Sequence, residues 1–340
     1  MIETRKPKVV ITDNRHPAII HIEKAVLEEG GAEVFVCQCK TEDELIAQCR
    51  DAEGMINSRS KITRKVIEAL EKCQIIVRHG IGVDTIDVEA ATERGILVAN
   101  VPDYCIEEVS THALALILAC ARKVVAGYEC VKGGKWDLNL VKPVYRMAGR
   151  KAGILGFGRI AKSLAKKVQA LGCEALVFDP YVTDEEVRNW GGRKVDWDTF
   201  LKEADFISIH TPLTKETRKL LGEKEFRSMK PSAYVINTAR GEIIDEKALV
   251  KALNEGWIAG AALDVLEKEP VEASNPLLSM NKVILTPHIS FYSEESLQEL
   301  LRKSAQEVVR VLKGQLPNSL VNPQALKKFH ARKESKTLNS

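Results

Sequence analysis

The sequence has no apolar run long enough to cross a bilayer and no secretory segment at its start. The longest apolar stretch, residues 113–121 (ALALILACA), is far shorter than the roughly 20 residues that a membrane-spanning helix needs. The first residues, MIETRKPKVVITD, lack the apolar core of a signal peptide. These absences predict a cytoplasmic protein without a membrane partner.

No stretch of the chain concentrates charge of one sign. Lys and Arg total 50 against 47 Asp and Glu, which gives a net charge of +3. Nucleic-acid binding requires a basic patch or stripe that can follow phosphates. We therefore expect no nucleic-acid partner.

The sequence also lacks paired-cysteine motifs. None of its cysteines forms a CxxC pair or has a companion histidine at zinc-binding spacing. We predict reduced, mostly buried thiols and no metal site. The eight cysteines are Cys37, Cys39, Cys49, Cys73, Cys105, Cys120, Cys130 and Cys173.

What the sequence does contain is a repeated alternation of short β-branched runs and helical patterns over 340 residues, a length that predicts two lobes. This alternation is typical of parallel sheets with helices on both faces, so the fold class is α/β with two doubly wound lobes. In the first lobe, strands are predicted at 8–13, 32–38, 52–57, 74–80 and 96–102. In the second, they are predicted at 151–156, 174–179, 205–210, 233–238, 258–265 and 282–288.

Between the lobes, the sequence from residue 106 to the Gly133-Gly134 pair predicts one long, largely buried helix. A last helix within 292–323 has no strand after it and is expected to pack on the first lobe. The polar and basic segment 324–340 is expected to be a mobile tail. The predicted divisions are therefore 1–103, 104–291, 292–323 and 324–340.

Residues 151–161, KAGILGFGRIA, place glycines between a predicted strand and a predicted helix. Asp179 ends the next strand, 21 positions after Gly158. In dinucleotide-binding folds, a helix amino terminus of this kind faces the pyrophosphate and such a carboxylate binds the ribose hydroxyls. An acidic residue here favours NAD over NADP. Two alternatives stay open: the glycines only form a tight turn, or Asp179 only caps a turn before Pro180.

Three ionisable residues follow strands of the second lobe, at the edge where open α/β sheets bind ligands. Arg240 could clamp a carboxylate, and His288 could donate a proton while Glu269 raises the pKa of the imidazole. Such a set is suited to reducing a 2-oxo acid. Taken singly, each residue could instead have a structural role: a surface charge, a helix start and a loop histidine.

Over residues 5–323 the sequence resembles the D-isomer-specific 2-hydroxyacid dehydrogenases, with GILGFGRIA, VFDP, INTARGEIIDEKAL, GAALDVLEKEP and TPHIS in family order. The resemblance implies a Rossmann NAD-binding domain inserted in a flavodoxin-like substrate domain. It implies NAD-dependent interconversion of a 2-oxo acid and a D-2-hydroxy acid, with Arg240, Glu269 and His288 catalytic. It also implies a homodimer built through the cofactor lobes, in which the helix at 106–130 takes part.

The resemblance further implies a set of cofactor contacts, in which Asp264 meets the nicotinamide carboxamide. These contacts are Leu155, Gly156, Phe157, Gly158, Arg159, Ile160, Asp179, Thr211, Pro212, Thr238, Ala239, Arg240, Asp264 and His288.

On the substrate side, VRHGIGVDTID (77–87) resembles the loop whose backbone N–H groups bind the substrate carboxylate in this family. The implied contacts are Arg78, Gly80, Ile81 and Gly82, together with Arg240 and Phe291. Thr85 stands where relatives often carry Asn. The runs IIVRHGIGVDTID and TPHISFYSEES most resemble the branch of the C-terminal-binding proteins, which commonly has Trp in place of Phe291.

Two alternative functions remain open at this point. One is an NADH-sensing dimeric scaffold resembling the C-terminal-binding proteins. The other is phosphoglycerate dehydrogenase, although the ~17 residues after Pro323 are too few for an added regulatory domain.

Overall fold

Two parallel sheets in two separate units organise the chain. A computed structural model describes residues 5–337. One unit combines the chain up to Tyr104 with the chain from Ser293 onward, and the other spans Cys105–Tyr292. Within the described residues, no helix has the length and apolarity needed to cross a membrane.

The first unit contains a five-stranded parallel sheet in the order β2-β1-β3-β4-β5. This is the strand order of flavodoxin-like doubly wound sheets. All four residues of β3 are buried, as expected for a central strand covered on both faces. The strands are β1 (Lys8–Ile11), β2 (Glu33–Val36), β3 (Gly54–Asn57), β4 (Ile75–Arg78) and β5 (Leu97–Ala99).

Four helices connect these strands: α1 (Ile20–Glu29), α2 (Glu42–Cys49), α3 (Arg64–Ala69) and α4 (Val88–Glu93). Helix α2 was not predicted from the sequence. The feature that marks the start of this helix is a capping box. The Thr41 hydroxyl accepts a hydrogen bond from the Glu44 N–H, and the Glu44 carboxylate accepts one from the Thr41 N–H.

The second unit begins with two helices, α5 (Ile106–Arg122) and α6 (Val124–Lys132), rather than the predicted single helix. Lys123 adopts the left-handed conformation (φ 54°) and ends α5. Its ammonium group binds the Tyr234 hydroxyl and lies 4.8 Å from the centre of the ring. The prediction of one largely buried helix was therefore wrong, because α5 has a buried face whereas α6 has no buried residue.

The sheet of the second unit has seven parallel strands in the order β12-β11-β10-β9-β6-β7-β8, which is the Rossmann order with one further strand. The strands are β6 (Lys151–Leu155), β7 (Glu174–Phe178), β8 (Arg193–Lys194), β9 (Phe206–Ile209), β10 (Tyr234–Asn237), β11 (Gly260–Leu263) and β12 (Val283–Leu285). The helices are α7 (Arg159–Ala170), α8 (Asp184–Asn189), α9 (Trp197–Glu203), α10 (Glu223–Ser228) and α11 (Glu246–Glu255).

The chain from Ser293 onward adds α12 (Glu294–Leu312) and α13 (Leu326–Thr337) to the first unit, and α12 packs on α1. A mobile tail from residue 324 was expected, but most of this segment is helical. Phe329 of α13 is buried in the core, and the buried Asn322 bonds to the backbone of Ile96 and Val98. Residues 338–340 of the expected tail lie outside the described residues.

Candidate active site

The glycine-rich turn joins β6 to α7 at the carboxyl edge of the seven-stranded sheet. Gly156 has a φ of +85°, and a Cβ there would lie 2.9 Å from the Thr211 amide nitrogen, so only glycine fits the turn. At Gly158, which precedes α7, a Cβ would meet no atom within 4 Å. The turn therefore leaves open space directly at the amino terminus of α7, where a phosphate group could bind.

Asp179 follows β7 and reaches back to this turn. Its Oδ2 accepts a 2.7 Å hydrogen bond from the Phe157 N–H, and its Oδ1 accepts a 2.8 Å bond from the Tyr181 N–H. The carboxylate thus caps its own turn, as one alternative proposed, and also lies against the glycine turn. Both roles are compatible in this geometry.

The other implied cofactor residues differ in what they can offer a ligand. Leu155 and Phe157 are 2% and 1% exposed and belong to the core, so neither side chain is available to a ligand. Thr238, directly after β10, has a buried Oγ1 that bonds to no group within residues 5–337. The open space at Gly158 and this hydroxyl both fit a dinucleotide laid across the carboxyl edge. The residues that would hold it include Gly158, Arg159, Asp179, Thr211 and Thr238.

Arg240 lies after β10 on a backbone that is held from both sides. The buried Asn237 donates a 2.8 Å bond to the Arg240 carbonyl and accepts a 2.9 Å bond from the Ala239 N–H. A Cβ on Gly241 would overlap the backbone of Leu266, so this segment packs directly against the next loop. Asn237 was missed by the sequence reasoning, although it ends the strand that leads to Arg240.

Glu269 and His288, 19 residues apart in sequence, form a pair. The Glu269 Oε2 lies 2.7 Å from the His288 Nδ1, and 28% of each side chain is exposed. His288 has a φ of 55°, and its ring centre lies 6.1 Å from that of Phe291 at 78°. Because Glu269 engages Nδ1, Nε2 is the nitrogen that can serve a ligand.

Asp264 organises the turn that carries His288. Its carboxylate is fully buried and accepts from the Thr286 hydroxyl at 2.5 Å, the Ile289 N–H at 3.0 Å and the Ser290 N–H at 2.8 Å. The resemblance assigns this residue to the nicotinamide carboxamide, whereas here its side chain braces the turn. His112 of α5 extends this network, with Nε2 3.1 Å from the Thr286 Oγ1, and sequence reasoning missed it.

In the first unit, the loop after β4 contains the implied substrate contacts. Gly80 has a φ of +136°, and a Cβ there would overlap the Arg78 guanidinium, so that cation covers the loop. The Gly80 N–H donates to the Arg78 carbonyl at 2.9 Å. Across residues 5–337, the N–H groups of Ile81 and Gly82 donate to no protein acceptor, which leaves them for a ligand carboxylate. Thr85 braces the loop by accepting a 3.3 Å bond from Asn57.

Comparison with known proteins finds one family model over just over half of the chain. Residues 114–290 match the NAD binding domain of the D-isomer specific 2-hydroxyacid dehydrogenases. The D-3-phosphoglycerate dehydrogenase of Methanocaldococcus jannaschii is 41% identical over 317 residues, which are 93% of this chain and 59% of that protein. The chain thus spans well under two thirds of that relative.

Other relatives match over most of their length. The glyoxylate reductase of Thermococcus litoralis is 39% identical over 83% of this chain and 87% of its own. A solved structure of D-lactate dehydrogenase from Aquifex aeolicus, complexed with NAD and lactic acid, superposes with a TM-score of 0.82. It is 28% identical and covers 92% of this chain and 98% of its own.

Proposed function

Because the chain belongs to the D-isomer-specific 2-hydroxyacid dehydrogenase family, we propose that it interconverts a 2-oxo acid and a D-2-hydroxy acid with NAD, working mainly as a reductase. We assign residues 104–291 to the NAD-binding domain, and residues 1–103 and 292–323 to the substrate domain. The observation that carries the proposal is the 2.7 Å contact between Glu269 and His288 beyond the carboxyl edge of the sheet.

When bound, the reduced nicotinamide supplies a hydride to the carbonyl carbon of the substrate. The His288 Nε2 donates a proton to the carbonyl oxygen, so that the ketone becomes a hydroxyl group. Glu269 holds Nδ1 and with it the orientation of the ring. Arg240 binds the substrate carboxylate and polarises the carbonyl group. Within the substrate domain, the Ile81 and Gly82 N–H groups are the proposed hydrogen-bond donors for a carboxylate group.

The test is NADH oxidation by the purified protein with a panel of 2-oxo acids: glyoxylate, pyruvate, hydroxypyruvate, phosphohydroxypyruvate, 2-oxoglutarate and branched-chain acids. We expect turnover that His288→Ala lowers by at least about 10²-fold while NADH binding persists. NADH binding without turnover of any acid would contradict the proposal and favour the NADH-sensing scaffold.

A second candidate, phosphoglycerate dehydrogenase, is favoured by the 41% identity to the enzyme of that name from M. jannaschii. The same panel separates it from a glyoxylate reductase. A kcat/KM for phosphohydroxypyruvate more than about tenfold above that for glyoxylate and hydroxypyruvate would favour it. A preference for the unphosphorylated acids would exclude it.

We also propose a homodimer that forms through α6 and the segment after it. Val124, Tyr128 and Val131 lie on one face of α6 and are 60%, 59% and 49% exposed, and Trp136 is 90% exposed. A contiguous exposed apolar patch of this kind is typical of a protein interface. We expect Val131→Glu to give a monomer in light scattering after size exclusion, while Val271→Glu, an exposed valine in the loop after β11, leaves the dimer intact. Wild-type monomers would contradict this proposal.

A further inference from the structure

A buried glutamate and a buried histidine meet in the first unit, and neither has been assigned a role above. Glu23 of α1 has no exposed surface, and His79, directly after β4, is 6% exposed. The Glu23 Oε1 lies 2.6 Å from the His79 Nε2. The second carboxylate oxygen, Oε2, is also buried and bonds to no group within the described part of the chain.

Such a pair contributes little to the stability of a fold. Burying a carboxylate is costly even when it is paired, and apolar side chains of similar volume often stabilise a core as well or better. The surrounding core is made of apolar side chains such as Leu27, Ile75 and Val77, which would accept such a replacement. The location of the pair therefore points to a role other than stability.

His79 is the residue between the end of β4 and the substrate loop. Its N–H donates to the Asn57 carbonyl at 2.8 Å, which extends the pairing of β4 with β3 by one residue. The next residue is Gly80, whose carbonyl accepts from the Val101 N–H at 3.0 Å, and the Ile81 carbonyl accepts from the Asn100 amide at 2.6 Å. The loop is thus held by its carbonyl groups, and the His79 ring is held by Glu23 at the point where the loop begins.

We propose that Glu23 and His79 are positioning residues that set the direction of the Ile81 and Gly82 N–H groups toward the substrate carboxylate. Glu23 fixes the imidazole, the imidazole fixes the backbone of residue 79, and that backbone begins the loop. Neither side chain touches the substrate. This inference rests on the proposed function, because it concerns the loop that binds the 2-oxo acid.

The test compares Glu23→Gln with a matched control, Glu307→Gln. Glu307 is also a buried glutamate of the first unit, 6% exposed, but it accepts from the backbone and side chain of Asn318, far along the chain from the loop. For Glu23→Gln we expect the KM for the 2-oxo acid to rise about tenfold or more. We expect kcat to fall less than about threefold, and the KM for NADH to stay unchanged. Glu307→Gln should leave all three values near those of the wild type.

A second readout does not depend on activity. Hydrogen exchange of a peptide covering residues 78–86 should be faster in Glu23→Gln than in the wild type and in Glu307→Gln. Folded Glu23→Gln with an unchanged KM and unchanged exchange would overturn the inference. If this variant does not fold, His79→Gln gives the same comparison with the same expected values.

Failure of the proposed function would give different results from failure of this inference alone. If the wild-type protein binds NADH but reduces no 2-oxo acid, the loop has no such substrate to bind. Both proposals are then overturned, whatever the exchange data show. Turnover by the wild type together with a wild-type KM in Glu23→Gln would overturn the inference alone.

Discussion

The carboxyl edges of the two sheets use their ionisable residues differently. At the seven-stranded sheet, Glu269 and His288 each keep 28% of the side chain exposed. At the five-stranded sheet, Asp13 and His79 are 6% exposed, and the Asp13 carboxylate is taken up by the N–H groups of residues 58–60. Groups that remain accessible can react, whereas buried groups hold backbone in place. The edge of the seven-stranded sheet is therefore suited to proton transfer and is called the reactive edge below. The edge of the five-stranded sheet is suited to positioning a ligand and is called the positioning edge.

The largest expected effect separates these two roles at His288. Its φ of 55° suits asparagine, which tolerates left-handed backbone, so His288→Asn removes the proposed proton donor without straining the turn. We expect kcat to fall about 10³-fold, near 4 kcal/mol of transition-state stabilisation, with little change in melting temperature. Steady-state kinetics and thermal unfolding of the same preparation check this. A variant that keeps most of its activity would remove His288 from the chemistry.

At the carboxyl edge of the seven-stranded sheet, the partly exposed His210 makes stability depend on pH. Burial lowers the pKa of His210 from 6.5 to about 4, and its Nε2 lies 2.8 Å from the Ser208 Oγ. The unfolded chain therefore takes up this proton before the folded one does. The stability contributed by neutral His210 is complete above pH 6.5 and is lost as the pH falls toward about 4. That loss amounts to roughly 3 kcal/mol.

Urea unfolding at pH 7, 5.5 and 4.5 measures this loss, with His210→Gln as the variant that cannot titrate. We expect the free energy of unfolding of the wild type to fall more steeply with acidification than that of the variant. Parallel curves for the two proteins would show that His210 does not have the depressed pKa.

A smaller effect is expected at the positioning edge. The Asp13 oxygens accept from three consecutive backbone N–H groups, of Ser58, Arg59 and Ser60, and an asparagine offers only one acceptor oxygen. Asp13→Asn should lower the free energy of unfolding by about 2 kcal/mol and leave NADH affinity unchanged. The exposed Asp51→Asn should change stability by less than about 0.5 kcal/mol. Equal stabilities for the two variants would contradict the role of Asp13.

The sequence marks candidate residues at the reactive edge more clearly than at the positioning edge. Arg240, Glu269 and His288 lie in short contiguous motifs that follow strands, and parallel strands bring their carboxyl ends to one edge. Glu23 and His79 lie 56 positions apart. They meet only when α1 packs on the sheet, and neither stands in a pattern that marks a pair.

The fold class followed from the alternation of apolar runs, whereas local deviations did not. The break at Lys123 depends on a contact with Tyr234, 111 positions away, which no local pattern contains. Likewise, the buried Phe329 and the bonds of Lys328 and Arg332 to the carbonyl groups of residues 93–95 hold a polar helix that looked like a mobile tail. The composition of a segment contains no information about such long-range contacts and therefore cannot predict them.

The smallest expected effect concerns Asp179, which has a structural role and a proposed ligand role at once. Its carboxylate accepts from the Phe157 and Tyr181 N–H groups, so it stabilises the turn without a ligand. It would also bind the ribose hydroxyls and repel a 2′-phosphate. Asp179→Ser should weaken NADH binding about tenfold, near 1.4 kcal/mol, and improve NADPH binding relative to NADH. Fluorescence titration with both cofactors measures the ratio.

Asp196→Ser is the matched control, because Asp196 also accepts from a backbone N–H, that of Thr199, but it caps α9 rather than bracing the glycine turn. Both variants lose a turn-stabilising carboxylate, so both should lower the melting temperature slightly. Only Asp179→Ser should change the ratio of NADH to NADPH affinity. If the two variants shift that ratio equally, Asp179 only stabilises the turn and does not bind the cofactor. The reactive edge would then also contain a carboxylate whose role is to hold backbone in place.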